Sequence, residues 1–283
     1  KNSQPPPTMF AARRSLTLSR NVFRGASPLQ PTAYFHSSPL LKVEEPVKEE
    51  PAPVQSGSIV DRFTTTAEVT VSKLFPAGFG WQASSILADG MGYGATDVPF
   101  FLITGGGDFA GVMIGHTGYY AIKKAVYDPS INIKDTAQTG LWLATAAFCS
   151  GAAWQPIVNM WQGVDAPFNA VFAGAWAGCG FMFYAGLRAG RAVYPFMPDA
   201  DYDNLVADAT LSASIGGATG FFVGTDAAYM DGAGNWLRPV IGVEDADSDI
   251  VGCLKAGTST GLGFFVAQGA QNVVYPSGKC WLD

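Results

Sequence analysis

Long apolar stretches separated by short polar segments set the pattern of this chain from residue 99 onward. Five of them run at about 99–126, 137–161, 167–193, 205–229 and 250–274. Each is longer than the roughly 20 apolar residues with which an α-helix crosses the hydrocarbon core of a bilayer. Proline begins the first and the third stretch. In the first turn of a helix a backbone N–H has no intrahelical acceptor, so the N–H that proline lacks is not missed there. The pattern predicts five transmembrane helices.

A sixth, less apolar segment precedes them at about 67–91. It contains Glu68, Lys73, Pro76 and Asp89, and its apolar share is correspondingly lower. Hydropathy alone therefore indicates an amphipathic or re-entrant helix at this position.

A short internal repeat bears on the number of helices. The motif Asp-x-Pro-Phe stands at 97–100 and 165–168, and stretches ending in Ala-Val-Tyr or Val-Val-Tyr close at 125–127, 192–194 and 273–275. Aligned on these matches, the chain divides into three helix pairs, 67–127, 137–195 and 205–276. A chance recurrence of helix-end residues is the alternative. We predict an all-α integral membrane protein, a bundle of five or six transmembrane helices with small-residue packing.

Composition supports the membrane bundle. Charged residues make up 14% of the chain, against about 25% in a typical soluble domain. Charge is costly in hydrocarbon, and small residues let helix backbones approach closely. Recurrent Gly-x-x-x-Gly spacing and one glycine-rich run predict helix-packing positions at Gly107, Gly174, Gly178, Gly216, Gly220, Gly224, Gly257 and Gly261.

The N-terminal residues 1–43 contain no Asp or Glu but several Arg residues among Ser and Thr. This pattern is typical of a mitochondrial presequence, with cleavage expected near 35–42; a disordered basic tail and a plastid transit peptide are the alternatives. Residues 44–66 are rich in Pro and Glu and are predicted to be a disordered linker. The helical transmembrane domain then covers 67–283.

Charge indicates the location, the orientation and the partners. Removing residues 1–43 leaves 11 Lys and Arg against 23 Asp and Glu, a balance that excludes a nucleic-acid-binding role. Basic residues gather at one end of the predicted helices, at Lys123, Lys124, Lys134, Arg188, Arg191 and Lys279. Because basic loops stay on the side from which a membrane protein inserts, we expect a mitochondrial inner-membrane protein with its C-terminus in the matrix.

Asp108 is the main candidate for a functional residue. It lies near the middle of helix 99–126, where a carboxylate is expensive unless it is protonated, paired or hydrated. At about 100° per residue, Thr104, Gly111 and Gly115 share a stripe with it. We interpret this stripe as a substrate or ion path; a protonated Asp bonded to a neighbouring helix is the alternative. His116 is a weaker path candidate, about 12 Å along the helix.

Other motifs point away from catalysis. The four cysteines show no paired metal spacing, and no phosphate loop, nucleophile elbow or zinc-protease motif is present. We therefore expect no enzyme activity, no metal and no cofactor. The polar loop after the fourth long helix offers Asn235, Trp236 and Arg238 as partner contacts. Asp226, near the end of that helix, is interpreted as a cap of the loop.

The sequence thus predicts a transporter- or channel-like protein for small polar solutes or protons. The alternative is a non-catalytic structural or accessory subunit of a larger inner-membrane complex. The expected partners are the lipid bilayer and either other inner-membrane proteins or a second copy of the chain. Mitochondrial solute carriers also have three helix pairs, but their Pro-x-(Asp/Glu)-x-x-(Lys/Arg) motif is missing from the odd helices here, which excludes that family.

The predicted orientation can be tested by protease access to the loop at 196–204. In mitoplasts, added protease is expected to leave this loop intact, because the basic end of the helices faces the matrix. Fragments are identified by mass spectrometry, and detergent-opened mitoplasts serve as the control in which the loop becomes cleavable. Cleavage at 196–204 in sealed mitoplasts would refute the orientation.

Overall fold

Helices connected by short loops make up the described part of the protein. The computed structural model describes residues 58–161, 164–194, 196, 205–229 and 248–274. The predicted presequence, the linker up to residue 57 and the loop residues Asn235, Trp236 and Arg238 lie outside this range. Within the described residues there is no strand.

Five helices of the described chain are long and apolar enough to cross a membrane. The elements are α1 (Ile59–Val69), a π-helical stretch (Thr70–Leu74), α2 (Phe75–Gly90), α3 (Val98–Val126), α4 (Ile133–Met160), α5 (Phe168–Val193), α6 (Leu205–Tyr229) and α7 (Asp249–Val274). The spans α3 to α7 begin and end within four residues of their predicted bounds. The predicted all-α membrane bundle is confirmed.

The N-terminal helix starts earlier than the sequence indicated. The predicted linker at 44–66 is wrong at its C-terminal end, because α1 begins at Ile59. Ser58 and Asp61 form a capping box: the Asp61 backbone N–H donates to Ser58 Oγ over 3.2 Å, and the Ser58 backbone N–H donates to Asp61 Oδ2 over 2.8 Å. These bonds satisfy N–H groups that a helix start otherwise leaves unpaired.

Pro76 explains the π-helical stretch in this first element. Proline has no N–H, and its ring clashes with the preceding turn of a regular α-helix. Here the five π-helical residues Thr70–Leu74 come just before α2, and Pro76 then falls in the first turn of α2. The chain therefore runs from Ile59 to Gly90 without a loop. This continuous helical segment and the five helices α3 to α7 are the six walls of the bundle.

The six walls close into a ring. Each helix from α2 to α6 packs against the next one in the chain, and α7 packs back against α2. Neighbouring helices are antiparallel: Gly80 lies against Gly107, whereas Ser72, earlier in its helix, lies against Gly115, later in α3. The two ends of the described helical region consequently lie at the same face of the bundle.

Glycines stand at the closest contacts between the walls. A Cβ atom at Gly107 would overlap with the Gly80 carbonyl and with Ser84, and one at Gly216 would overlap with the Trp176 carbonyl. The other predicted packing glycines also meet a neighbouring residue within 3.2 Å of an ideal Cβ: Gly174 (Trp161), Gly178 (Ile157), Gly220 (Trp176), Gly224 (Asn169), Gly257 (Phe75) and Gly261 (Thr70).

Polar bonds reinforce the closure between α1 and α7. Asn272 Nδ2 donates to Thr66 Oγ1 over 3.0 Å, and Gln268 Nε2 donates to Asn272 Oδ1 over 3.1 Å. Arg62 also donates to the Asn272 carbonyl. The Gln268 bond lies within α7 and orients Asn272, whereas the Thr66 and Arg62 bonds join the two helices. Interhelical bonds contribute about 0.6 kcal/mol each in a membrane, so they add to the packing but do not replace it.

Adjacent glycines provide a test of this packing. Gly107→Ala is expected to lower the free energy of unfolding by about 1–3 kcal/mol, because the new methyl group overlaps with a backbone carbonyl of α2. Gly106→Ala is the matched control, since nothing lies within 4 Å of its Cβ position; it should be neutral or stabilising by up to about 1 kcal/mol. Reversible unfolding in detergent, followed by circular dichroism, measures both. Equal effects would contradict the proposed contact.

Candidate functional site

A cavity of about 100 Å³ lies at the centre of the ring, and every helix from α2 to α7 contributes to its wall. Most of the lining is apolar or aromatic, including Leu143, Ile215 and Phe264. Its polar side chains are those of Lys73, Asp108, Ser150, Thr219 and Thr260. An apolar wall with a few polar groups is the usual composition of a small-molecule site.

Asp108 presents its carboxylate to this cavity. It lies ten residues into α3, about 15 Å from the helix start, and its side chain is half-buried. Among the described residues, none donates a hydrogen bond to the carboxylate or pairs with it as a cation. Gly151 of α4 makes room for it, because a Cβ atom there would overlap with the carboxylate. The carboxyl group at this position is left to interact with whatever occupies the cavity.

The hydroxyl and thiol groups nearby have partners within the bundle. The Ser150 and Cys179 side chains form a hydrogen bond with each other. Thr219 Oγ1 donates to the Ile215 carbonyl of its own helix over 2.8 Å. Asp108 therefore differs from Ser150, Cys179 and Thr219 of the lining, which already have partners.

Three tryptophans form an aromatic layer along one end of the cavity. The rings of Trp81 and Trp154 meet edge to face with centroids 6.3 Å apart, and those of Trp154 and Trp176 are 5.7 Å apart. Trp154 also packs on Phe172 at 5.1 Å. Trp154 lies six residues before the end of α4, about 9 Å from it, whereas Asp108 lies deeper. The layer separates Asp108 from the end of the bundle where α4 stops.

Lys73 lines the cavity towards the opposite end. It belongs to the π-helical stretch, and its side chain is 8% exposed. It lies close enough to His116 of α3 to interact with it electrostatically. Short π-helical stretches occur frequently at functional sites, and this one positions a buried cation beside the cavity.

A charged cluster continues from Lys73 to the surface. Lys123 Nζ forms an ion pair with Glu68 over 2.6 Å. The same ammonium lies 5.4 Å from the ring centroid of Tyr120, which in turn packs on His116 at 4.9 Å. This cluster links α1 to α3 at the level where α3 ends.

The two ends of the bundle differ in charge. We call the end where α3 and α5 stop the basic face; its basic residues among those described are Arg62, Lys123, Lys124, Lys134, Arg188 and Arg191, and they outnumber the described carboxylates of Asp61, Glu68, Asp128, Asp135 and Asp208 at the same end. The opposite end, the acidic face, has Asp97, Asp165 and Asp249 at the starts of α3, α5 and α7. The cavity lies between them, with the tryptophan layer towards the acidic face and Lys73 towards the basic face.

The structure separates the predicted path residues. Asp108 lines the cavity, but Gly111 and Gly115 pack against Pro76 of α2. Thr104 is fully buried and donates to the Phe100 carbonyl over 3.0 Å. His116 is also buried and is not part of the cavity lining. The stripe is therefore divided between two neighbours, because α2 and α4 contact adjacent faces of α3.

Some residues of the site were not identified from the sequence. Lys73 and Trp154 line the cavity, although nothing in the local pattern distinguishes them from helix-end or interface residues. Asp226 is fully buried inside α6 and accepts a hydrogen bond from Ser259 of α7; the loop that it is predicted to cap lies outside the described residues. The four-residue spacing of Gly216, Gly220 and Gly224 could have shown which face of α6 packs against a neighbouring helix. It could not have shown which residue Asp226 contacts.

Comparison of the chain with models of known protein families, with curated protein sequences and with solved structures returned no match. Membrane residence follows from the five long apolar helices. The function must then be argued from the cavity and its residues.

The contrast between the two intramembrane carboxylates can be measured. Asp226→Ala is expected to lower the free energy of unfolding by about 1–3 kcal/mol more than Asp108→Ala, because it leaves the buried Ser259 hydroxyl without its acceptor. Asp108→Ala removes a similar volume but breaks no hydrogen bond. Unfolding of both variants in detergent gives the difference. A larger loss for Asp108→Ala would show that its carboxylate is structural.

Proposed function

We propose that this protein is a transporter- or channel-like protein of the mitochondrial inner membrane that moves small polar solutes or protons through the central cavity. The observation that carries the proposal is the Asp108 carboxylate, which opens into a mid-bundle cavity without a hydrogen-bonding partner among the described residues. An ionisable residue at this depth marks a substrate or ion pathway by default, since it is costly to keep there.

The position of the cavity supports transport. Secondary transporters place their sites near the middle of the membrane, between repeated helical units. Here the lining comes from all three antiparallel helix pairs, and Asp108 lies about 15 Å from the start of α3. α3 continues for another 18 residues, about 27 Å, beyond Asp108, so a solute there would lie inside the membrane and nearer to the acidic face.

The charge of the two faces supports the proposed orientation. Lys and Arg side chains gather at the end where α3 and α5 stop, and the positive-inside tendency directs such an end to the matrix. The acid-free N-terminal sequence is consistent with mitochondrial import. With six walls, both ends of the helical domain would face the matrix.

Catalysis is not part of the proposal. A hydrolytic or transfer reaction needs a nucleophile and a base held in mutual reach. Asp108 and His116 share α3 but lie eight residues apart, which separates them by about 12 Å along the axis, and the Ser150 hydroxyl is engaged with the Cys179 thiol. The geometry of the described residues therefore favours binding over bond cleavage.

Reconstitution into liposomes tests the proposal. The wild-type protein is expected to increase the flux of protons or of small solutes, and Asp108→Asn should reduce the initial rate about tenfold or more, since a charge-assisted contact is lost. Asp226→Asn is the control, because it changes a buried helical carboxylate that lies outside the cavity lining.

The same preparation distinguishes the transporter from an accessory subunit. A transporter should migrate on native gels as a small, self-contained oligomer and should conduct when purified. Absence of any flux, together with migration in a large assembly, would favour a structural or accessory role in an inner-membrane complex.

A further inference from the structure

We propose that the central cavity binds a small organic cation, an alkylammonium ion of about four to six non-hydrogen atoms, with its charge at Asp108 and its methyl or methylene groups against Trp154 and Trp176. The inference names the solute class of the transport site and in that respect rests on the proposed function. Binding itself requires only the cavity.

Charge is the first reason. A carboxylate in an apolar cavity must be paired or neutralised, because a lone buried charge is strongly unfavourable. Asp108 has no cationic partner among the described residues, and the residue that its carboxylate lies against, Gly151, has no side chain that could compensate the charge. A cationic ligand would supply the missing charge.

The aromatic layer is the second reason. Tryptophan faces attract cations, and aromatic walls with a nearby anion recognise ammonium groups. Trp81, Trp154 and Trp176 all line the cavity, and their edge-to-face contacts hold the three rings in fixed mutual positions. The alkyl groups of an alkylammonium ion would contact the apolar surface of the cavity. An inorganic cation keeps a water shell and could not make this contact.

Size is the third reason. The cavity of about 100 Å³ is somewhat smaller than an apolar cavity of about 150 Å³ that admits benzene. It can therefore accept a molecule of about the size of tetramethylammonium, which has five non-hydrogen atoms. Sugars and nucleotides are too large for it.

The arrangement of charges gives the site a direction. Asp97 and Asp165 lie at the acidic face, where negative charge raises the local concentration of cations. Beyond Asp108, the buried ammonium of Lys73 lines the other end of the cavity. A cation that arrives from the acidic face is therefore attracted as far as Asp108.

Titration of the wild-type protein is the primary test. The purified full chain in nanodiscs is titrated with tetramethylammonium, with tert-butanol as a neutral compound of similar size and with acetate as an anion. Binding is followed by calorimetry and by tryptophan fluorescence, which the Trp154 cluster should report. We expect saturable binding of tetramethylammonium, at least tenfold tighter than that of tert-butanol. Equal binding of the two, or preference for acetate, would overturn the inference.

Variants locate the site. Asp108→Asn is expected to weaken tetramethylammonium binding about tenfold or more, and Trp176→Leu about threefold to thirtyfold. Asp226→Asn should leave binding unchanged, because Asp226 is bonded to Ser259 and lies outside the lining. If Asp108→Asn does not fold, the comparison of cation and neutral compound on the wild-type chain still decides. Loss of binding in Asp226→Asn but not in Asp108→Asn would place the site elsewhere.

The binding and flux measurements test the cation site and the transport role independently. Saturable binding of tetramethylammonium without any liposome flux would support the cation site and overturn the transport role. Flux of protons or other solutes with no cation binding would leave the transport role standing and overturn the inference drawn here.

Discussion

Contact between helix backbones at glycine sets the dimensions of the whole bundle. Lipid tails are as apolar as the side chains that face them, so helices in a membrane are stabilised mainly by close packing. Gly80 meets Gly107, and Gly216 meets the backbone of Trp176, which draws each pair of helices together until carbonyl groups limit the approach. At these separations six walls close into one ring and leave a cavity of only about 100 Å³. The small size of the site and the contact of Asp108 with Gly151 are both consequences of this spacing.

Much of the fold could be predicted because a membrane imposes a local requirement on each helix. The length of an apolar run is visible without knowledge of its neighbours, and the bounds of α3 to α7 followed from it. The start of α1 could not be found in this way, since the capping box of Ser58 and Asp61 lies in a segment whose composition resembles a linker. Asp108 was identified because a carboxylate is conspicuous in an apolar helix. Asp108 and Gly111 face different neighbours because α2 and α4 pack against adjacent sides of α3. The periodicity of one helix gives no information about where its neighbours pack.

The internal repeat and the cavity are related through two corresponding positions. Asp108 lies eight residues after Phe100 in the first unit, and Trp176 lies eight residues after Phe168 in the second. Both side chains line the same cavity, although one is a carboxylate and the other an indole. The repeated helix pair therefore directs this position towards the centre, and the identity of the residue determines what it contributes there. The lysine of the π-helical stretch adds a third kind of group from an element that the proline has reshaped.

The identity of the atoms at the glycine contacts has an evolutionary consequence. At Gly107 and Gly216 a new methyl group would meet a main-chain carbonyl, and every amino acid carries that carbonyl. A substitution in the facing helix could shorten a side chain, but it could not remove the main-chain carbonyl that the new methyl group would meet. Second-site suppressors of changes at these two positions are consequently expected to act by shifting a whole helix or not at all. Drift in such a chain should concentrate on the lipid-facing surface, while the glycine positions change only together with the architecture.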